Sequence, residues 1–233
     1  MTRRLRGHHA QRAVARLGAV ALAIAIARSH AFVLGVEASE ECARVEPVDP
    51  FDLDAYVEAE WYVAAQKPTS YQPTRDLFCV RANYTVVDER TISIWNTANR
   101  DGVDGSPRNA DGRFKLRGLI EDPNMPSKIA VGMRFLPRFL YGPYWVVATD
   151  VSPGDAEFDE RGYSWAIISG GQPTISRGNG LCEPSGGLWL FVRDPEVSEE
   201  VVSKMKEKCE SLGIDPDVLI PVTQEGCSFP TLP

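Results

Sequence analysis

Residues 51–67 read FDLDAYVEAEWYVAAQK, a short capped turn that runs straight into a strand opening on Trp-Tyr. Asp52 is placed to cap one helical turn carrying Leu53, Tyr56 and Val57. Beyond it Trp61, Val63 and Ala65 alternate with Tyr62, Ala64 and Gln66, the period of a half-buried strand. The complementary stretch is 189–195, WLFVRDP, in which Trp189, Phe191 and Arg193 share one face. An arginine at the inner end of an apolar row is costly unless something receives it, and a tryptophan ring serves.

The chain between these two stretches alternates repeatedly. Val80, Ala82 and Tyr84 oppose Arg81, Asn83 and Thr85; then, after the turn Asp88-Glu89-Arg90, Ile92, Ile94 and Asn96 oppose Ser93 and Trp95. Residues 114–120, 128–134, 144–149 and 163–169 read as four more strands, and 189–193 completes eight. Eight antiparallel strands close an up-and-down barrel wide enough for one small ligand, so the expected class is all-β with the cavity as the site. Asp194-Pro195 reads as the cap of one C-terminal helix ending near Leu212 before Gly213, with Val197, Val201, Met205 and Leu212 as the stripe against the wall. Residues 99–112 and 152–162 read as solvated loops. The long glycine-rich connection 170–187 holds Cys182, which suggests a tether. Residues 135–143, FLPRFLYGP, are unusually apolar for a connection. Phe135, Leu136, Phe139, Leu140 and Tyr141 are expected at the open end, either packed into the mouth or offered to a membrane or protein.

At the N-terminus five arginines precede the apolar run LGAVALAIAIA at 17–27, which is short for a span and is followed by Ser29-His30-Ala31, a signal-peptide arrangement covering 1–31. Its removal takes six of the 25 basic residues and none of the 32 acids, leaving a net charge near −13. Such a chain has no general attraction to nucleic acid. All three histidines, His8, His9 and His30, leave with the leader, which excludes Ser-His-Asp and Cys-His catalysis and His-based metal sites from the remainder. No cofactor or metal is implied. Residues 32–50 form an extension and 51–233 a single domain, with the barrel at about 60–193, the helix at about 195–212 and a tail at 213–233.

The five cysteines, Cys42, Cys79, Cys182, Cys209 and Cys227, default to disulfides in a secreted chain, and two bonds plus one thiol can be chosen among them in fifteen ways. Cys209 falls at helical spacing with Val201, Met205 and Leu212 and reads as a packing thiol. Asn83-Tyr84-Thr85 is an N-glycosylation sequon with Asn83 on the outward face.

Three blocks in order, the entry turn with Trp61-Tyr62, YWVVATDV at 144–151 and Arg193 closing the last strand, resemble the lipocalin family. Within it, FCVRANYTVVDERTISIWN at 78–96 and YSWAIISG at 163–170 are similar to the apolipoprotein D and bacterial or plant-type (temperature-induced) branch. The resemblance covers about 42–227, and Ala59 replaces the family's glycine two residues before the tryptophan. It implies that Trp61 and Arg193 close the barrel floor, that Cys79 is bonded to Cys227 and that Cys182 stands in as the partner of Cys42. It further implies that Tyr84, Asn96 and Trp189, together with Tyr144, Trp145 and Phe191, line the cavity. The function it implies is a secreted carrier of a small hydrophobic molecule: a lipid, sterol, retinoid or carotenoid. Two other readings compete: a protein-binding or inhibitory module acting through the mouth loops, and a lipocalin-fold enzyme such as a xanthophyll de-epoxidase relative, which needs paired carboxylates or a reactive thiol in the cavity. The Ala31-Phe32 junction also resembles the leaders that address proteins to algal plastids, which sets the thylakoid lumen beside the extracellular space as the destination.

Overall fold

The computed structural model describes residues 41–229; the expected leader at 1–31 and much of the extension fall outside the described residues. Helix α1 (Leu53–Val57) leads into β1 (Trp61–Gln66), β2 (Phe78–Asp88), β3 (Thr91–Arg100), β4 (Ser106–Arg108), β5 (Leu116–Ile120), β6 (Lys128–Met133) and β7 (Gly142–Thr149). There follow α2 (Ala156–Arg161), β8 (Trp165–Ser169), β9 (Pro173–Ser176), β10 (Cys182–Pro184), β11 (Leu188–Val192), α3 (Glu199–Ser211) and β12 (Ile220–Pro221). β1, β2, β3, β5, β6, β7, β8 and β11 pair antiparallel in that order and β11 returns to β1, closing an eight-stranded barrel. Among the described residues no helix is long and apolar enough to cross a membrane.

Alternation sorts the side chains into two cores. Inside lie Trp61, Val63, Val80, Ala82, Tyr84, Ile92, Ile94, Ile120, Ile129, Tyr144, Val146, Ala166, Ile168 and Phe191. Outside, Ala65, Val147, Ile167, Leu188, Leu190 and Val192 pack with Met205 and Cys209 of α3. Burial pushes the Cys209 thiol up to about 12, as expected of a packing residue.

The alternation expected for β1 breaks at its centre. The register against β11 shifts between Val63 and Ala65, the signature of a β-bulge. Ala64 and Ala65 both turn to the outer groove beneath α3, and Gln66 takes the inward position directly across from Trp189. Ala65 is therefore an outer residue and Gln66 an inner one, the reverse of the sequence reading, because one extra residue inverts every side chain beyond it.

The tail does not merely lie on the barrel. β1 pairs with β2 only at Trp61 and Tyr62; at Ala65 and Gln66 its edge is taken by β12. The Val222 amide donates to Ala64 O at 3.0 Å, the Cys79 amide to Thr223 O at 2.9 Å, and Gln224 Nε2 to both Val63 O and Val80 O at 2.9 Å. Residues 220–224 are thus a wedge between β1 and β2 in the upper wall, held by the Cys79–Cys227 disulfide. Cys42–Cys182 ties the β9–β10 hairpin to residues 41–50.

Three local expectations are corrected. Helix α3 starts at Glu199, not at 195, because Ser198 accepts a hydrogen bond from the Val201 amide; Gly213, at φ +74°, ends it in the left-handed conformation expected there. The acidic run 152–162 contains α2, with Arg161 reaching Asp150 and Glu157, and the loop 99–112 contains β4 on the edge of β3. Neither element shows in the sequence, because short elements carry too few residues for a period to appear.

Candidate ligand-binding site

Because β1 rises from α1, the barrel end next to α1 is the floor. The connections at 67–77, 101–115, 134–141 and 170–187 then lie at the opposite, upper end. The floor is built around Trp61. Its indole Nε1 donates to Tyr56 O at 2.8 Å, and the Arg193 guanidinium carbon stands 3.7 Å above its ring. Arg193 also donates to the carbonyls of Ala55 at 2.9 Å, Tyr56 at 3.0 Å, Glu60 at 3.1 Å and Ala59. Burial lowers the Arg193 pKa from the usual arginine range. The Asp52 side chain caps α1 at the Ala55 amide, and Phe51 stacks on Tyr163, so the plug is rigid where it meets the strands.

Above the plug three phenols meet. Tyr144 Oη lies 2.6 Å from Tyr56 Oη and 2.7 Å from Tyr84 Oη, all of them buried. Tyr84 and Tyr144 therefore face the interior as expected, but their hydroxyls are engaged with one another and with Tyr56, which offers a ligand their rings and not their oxygens. Phe191 also points inward, and is buried against Trp61 at 6.1 Å between ring centroids. The lower half of the lumen is filled by its own aromatic side chains.

Burial raises all three phenols above the ordinary tyrosine value. A pKa raised by folding contributes stability that is fully present below the unfolded value, about 10, and is lost as pH climbs beyond it. Alkaline titration is therefore expected to show these three tyrosinate bands appearing only as near-ultraviolet circular dichroism collapses, in one step. A gradual tyrosinate signal from the intact fold, equal to the full complement of seven tyrosines, would contradict the buried trio.

The upper half differs. Asn96 shares the inward face with Ile94 and pairs with Ala82, yet its side chain is exposed. Met133, cross-strand from Leu116, is 48% exposed, and Trp189 is half-buried against the inner core. Inward positions that solvent reaches mark the open mouth. The Trp189 ring folds back over Gly187, where an added Cβ would sit 2.4 Å from it, so only glycine leaves room. Across the strand pair, Gln66 is fully buried and both atoms of its amide lack a hydrogen-bond partner among the described residues. An unpaired buried donor or acceptor costs about 1–3 kcal/mol, so this amide is the most expensive polar group in the lumen.

Trp145 is a correction: it sits on the outer wall with Val147, with the Lys128 Nζ 5.1 Å from its ring centroid, because β7 alternates regularly from Tyr144 to Val146, both inward, and puts the residue between them on the opposite face. Asn83 is half-buried on the outer face of β2, cross-strand from Trp95. At the rim, Tyr141 packs on Gly132 and Leu136 is half-buried, while Phe135 is 79% and Phe139 82% exposed, with Leu140 and Phe114 also in solvent. Alternation assigns Gln66 to the outer face and gives it no role in the site; the one hint otherwise is Ala64-Ala65, two small residues in succession where alternation calls for a change of character.

A family model described as a lipocalin-like domain matches residues 51–224. Apolipoprotein D of Oryctolagus cuniculus is 30% identical over 211 residues, covering 91% of this chain and 94% of its own. Temperature-induced lipocalin-1 of Arabidopsis thaliana is 27% identical over 180 residues, covering 75% and 80%. Among solved structures, apocrustacyanin C2 superposes with a TM-score of 0.51 at 16% identity over 74% of this chain and 79% of that one, a likeness of fold.

Proposed function

The chain belongs to the lipocalin-like domain family, and from that premise we propose that it is a carrier that holds a small hydrophobic molecule in the upper half of its barrel. The observation that carries the reading is the contrast between the two halves of the lumen: an aromatic plug below, and inward-facing yet solvent-reached Asn96, Met133 and Trp189 above. Apolar transfer at about 25 cal/mol per Å² supplies micromolar affinity without a charged anchor. The ligand rests on the rings of Tyr84 and Tyr144, with Trp189 as its side wall, and extends past Asn96 into the mouth. Two disulfides support an oxidising compartment, which agrees with export through the leader at 1–31. Whether that compartment is the extracellular space or a plastid lumen decides between a general lipid and a carotenoid as cargo.

Native mass spectrometry and organic extraction of the protein from its own source test the reading. The expected result is a stoichiometric lipophilic ligand whose rebinding quenches tryptophan fluorescence and weakens about tenfold in Trp189→Ala, the loss of one aromatic contact. The same mass reports cleavage after Ala31 and a sugar on Asn83. An empty barrel that no lipid, sterol or carotenoid quenches would end the carrier reading. It would leave the exposed Phe135 and Phe139 as the basis of a second one, in which the rim docks on a membrane or protein surface; Phe135→Ser with Phe139→Ser would then abolish that docking.

A further inference from the structure

The bulge at Ala64 brings one uncommitted polar group to the wall of the lumen, the side-chain amide of Gln66. Its neighbours across the sheet are Trp189 on β11 and Ile220 on β12, whose side chains offer no carbonyl or hydroxyl. The nearby polar side chains do not serve it: Lys67 binds Glu183 at 3.0 Å and Pro184 O at 2.9 Å, Asp76 binds Arg100 at 2.6 Å, and Gln224, whose Nε2 bridges Val63 O and Val80 O, leaves its own Oε1 without a partner among the described residues rather than meeting Gln66. A glutamine amide presents two N–H donors and a carbonyl acceptor side by side. We propose that Gln66 is the polar anchor of the lumen ligand, and that the ligand class is a long-chain lipid with a neutral head presenting a donor and an acceptor together, as a primary amide does.

The inference rests on the carrier reading and narrows it. A head with an acceptor alone, such as an ester, would satisfy Gln66 Nε2 and leave Oε1 unpaired. A charged head finds no countercharge there, since the Arg193 guanidinium is held at the floor by four carbonyls, and the expected net charge near −13 repels anions. Trp189, cross-strand from Gln66 with Cβ atoms about 5 Å apart and its ring laid back over Gly187, gives such a head an apolar cover on the solvent side. Entry of the head requires that ring to swing, and the Trp189 indole is half-buried and makes no side-chain hydrogen bond among the described residues.

The test compares oleamide with methyl oleate, which share a hydrocarbon chain, on the wild-type protein, Gln66→Leu and Gln66→Met, with affinities from tryptophan quenching. The expected result is that the ratio of oleamide to methyl oleate affinity falls about tenfold in both variants while methyl oleate affinity holds or rises; tenfold corresponds to 1.4 kcal/mol. Without ligand, both variants are expected to melt higher than wild type, which shows that they fold. An unchanged ratio with methyl oleate still bound overturns the anchor and leaves the carrier standing. Binding of neither probe to wild type overturns the anchor for a long-chain lipid, while the carrier reading is decided separately by the extraction and the sterol and carotenoid quenching.

Discussion

Arg193→Ala is expected to lower the unfolding free energy by about 3–5 kcal/mol, the range for removing one partner of a buried charged network. The guanidinium serves two elements at once: it covers the Trp61 ring at 3.7 Å and it binds four carbonyls at the exit of α1. Alanine leaves the carbonyls of Ala55, Ala59 and Glu60 without that donor, Tyr56 O keeping only Trp61 Nε1, and removes the tie between β11 and the turn before β1. Arg193→Lys keeps the charge but loses the planar fork, and recovers about half of the loss. Urea denaturation monitored by tryptophan fluorescence gives the answer as a midpoint shift at constant slope. A change below 1 kcal/mol in the alanine variant would mean that α1 holds the floor without the arginine.

Cys227→Ser is the second large effect. The Cys79–Cys227 bond closes a loop of 148 residues, and its loss removes about 4–5 kcal/mol on the chain-entropy account. The enthalpic consequence is local: without the staple, residues 220–224 lose their hold between β1 and β2, the carbonyls of Ala64 and Leu77 lose the amides of Val222 and Thr223, and those of Val63 and Val80 lose the Gln224 side chain. Cys79→Ser should match it, and the double variant should add nothing further, as for any shared interaction. If the two single changes differ by more than 1 kcal/mol, the excess belongs to the backbone of Cys79, which sits at φ +53° beside a register shift, and not to the bond.

The parts of this fold that the sequence discloses are those with a period. β2 and β3 alternate over ten residues or more, and their inward faces at Val80, Ala82, Tyr84, Ile92 and Ile94 are visible in the chain itself. Arg193 announces itself because a charge at the end of an apolar row demands a receiver. The disulfide partners were not visible in spacing; only the family resemblance reduced the choice. The bulge in β1 is silent because an inserted residue has no composition of its own, and so alternation alone puts Gln66 outside. β12 is silent because two residues, Ile220 and Pro221, form it, and its partner strand lies more than 150 residues away. Trp145, in contrast, could have been rejected from the chain alone: with Tyr144 inward, its neighbour had to face out.

The wedge of residues 220–224 also sets a timetable. The hairpins from β2 to β8 can zip through local contacts, but the upper wall between β1 and β2 stays open until residues 220–224 arrive from far along the chain, so closure follows the pairing of the other strands. Through that interval Cys79 waits as a free thiol with Cys42 about 37 residues upstream, nearer in the chain than its native partner. The premature Cys42–Cys79 pair is the natural trap, and escape from it proceeds by thiol–disulfide exchange on a scale of seconds to hours. The last strand-to-strand gap of this barrel thus closes at the rate of disulfide rearrangement, seconds to hours, and not at the microsecond rate of hairpin pairing.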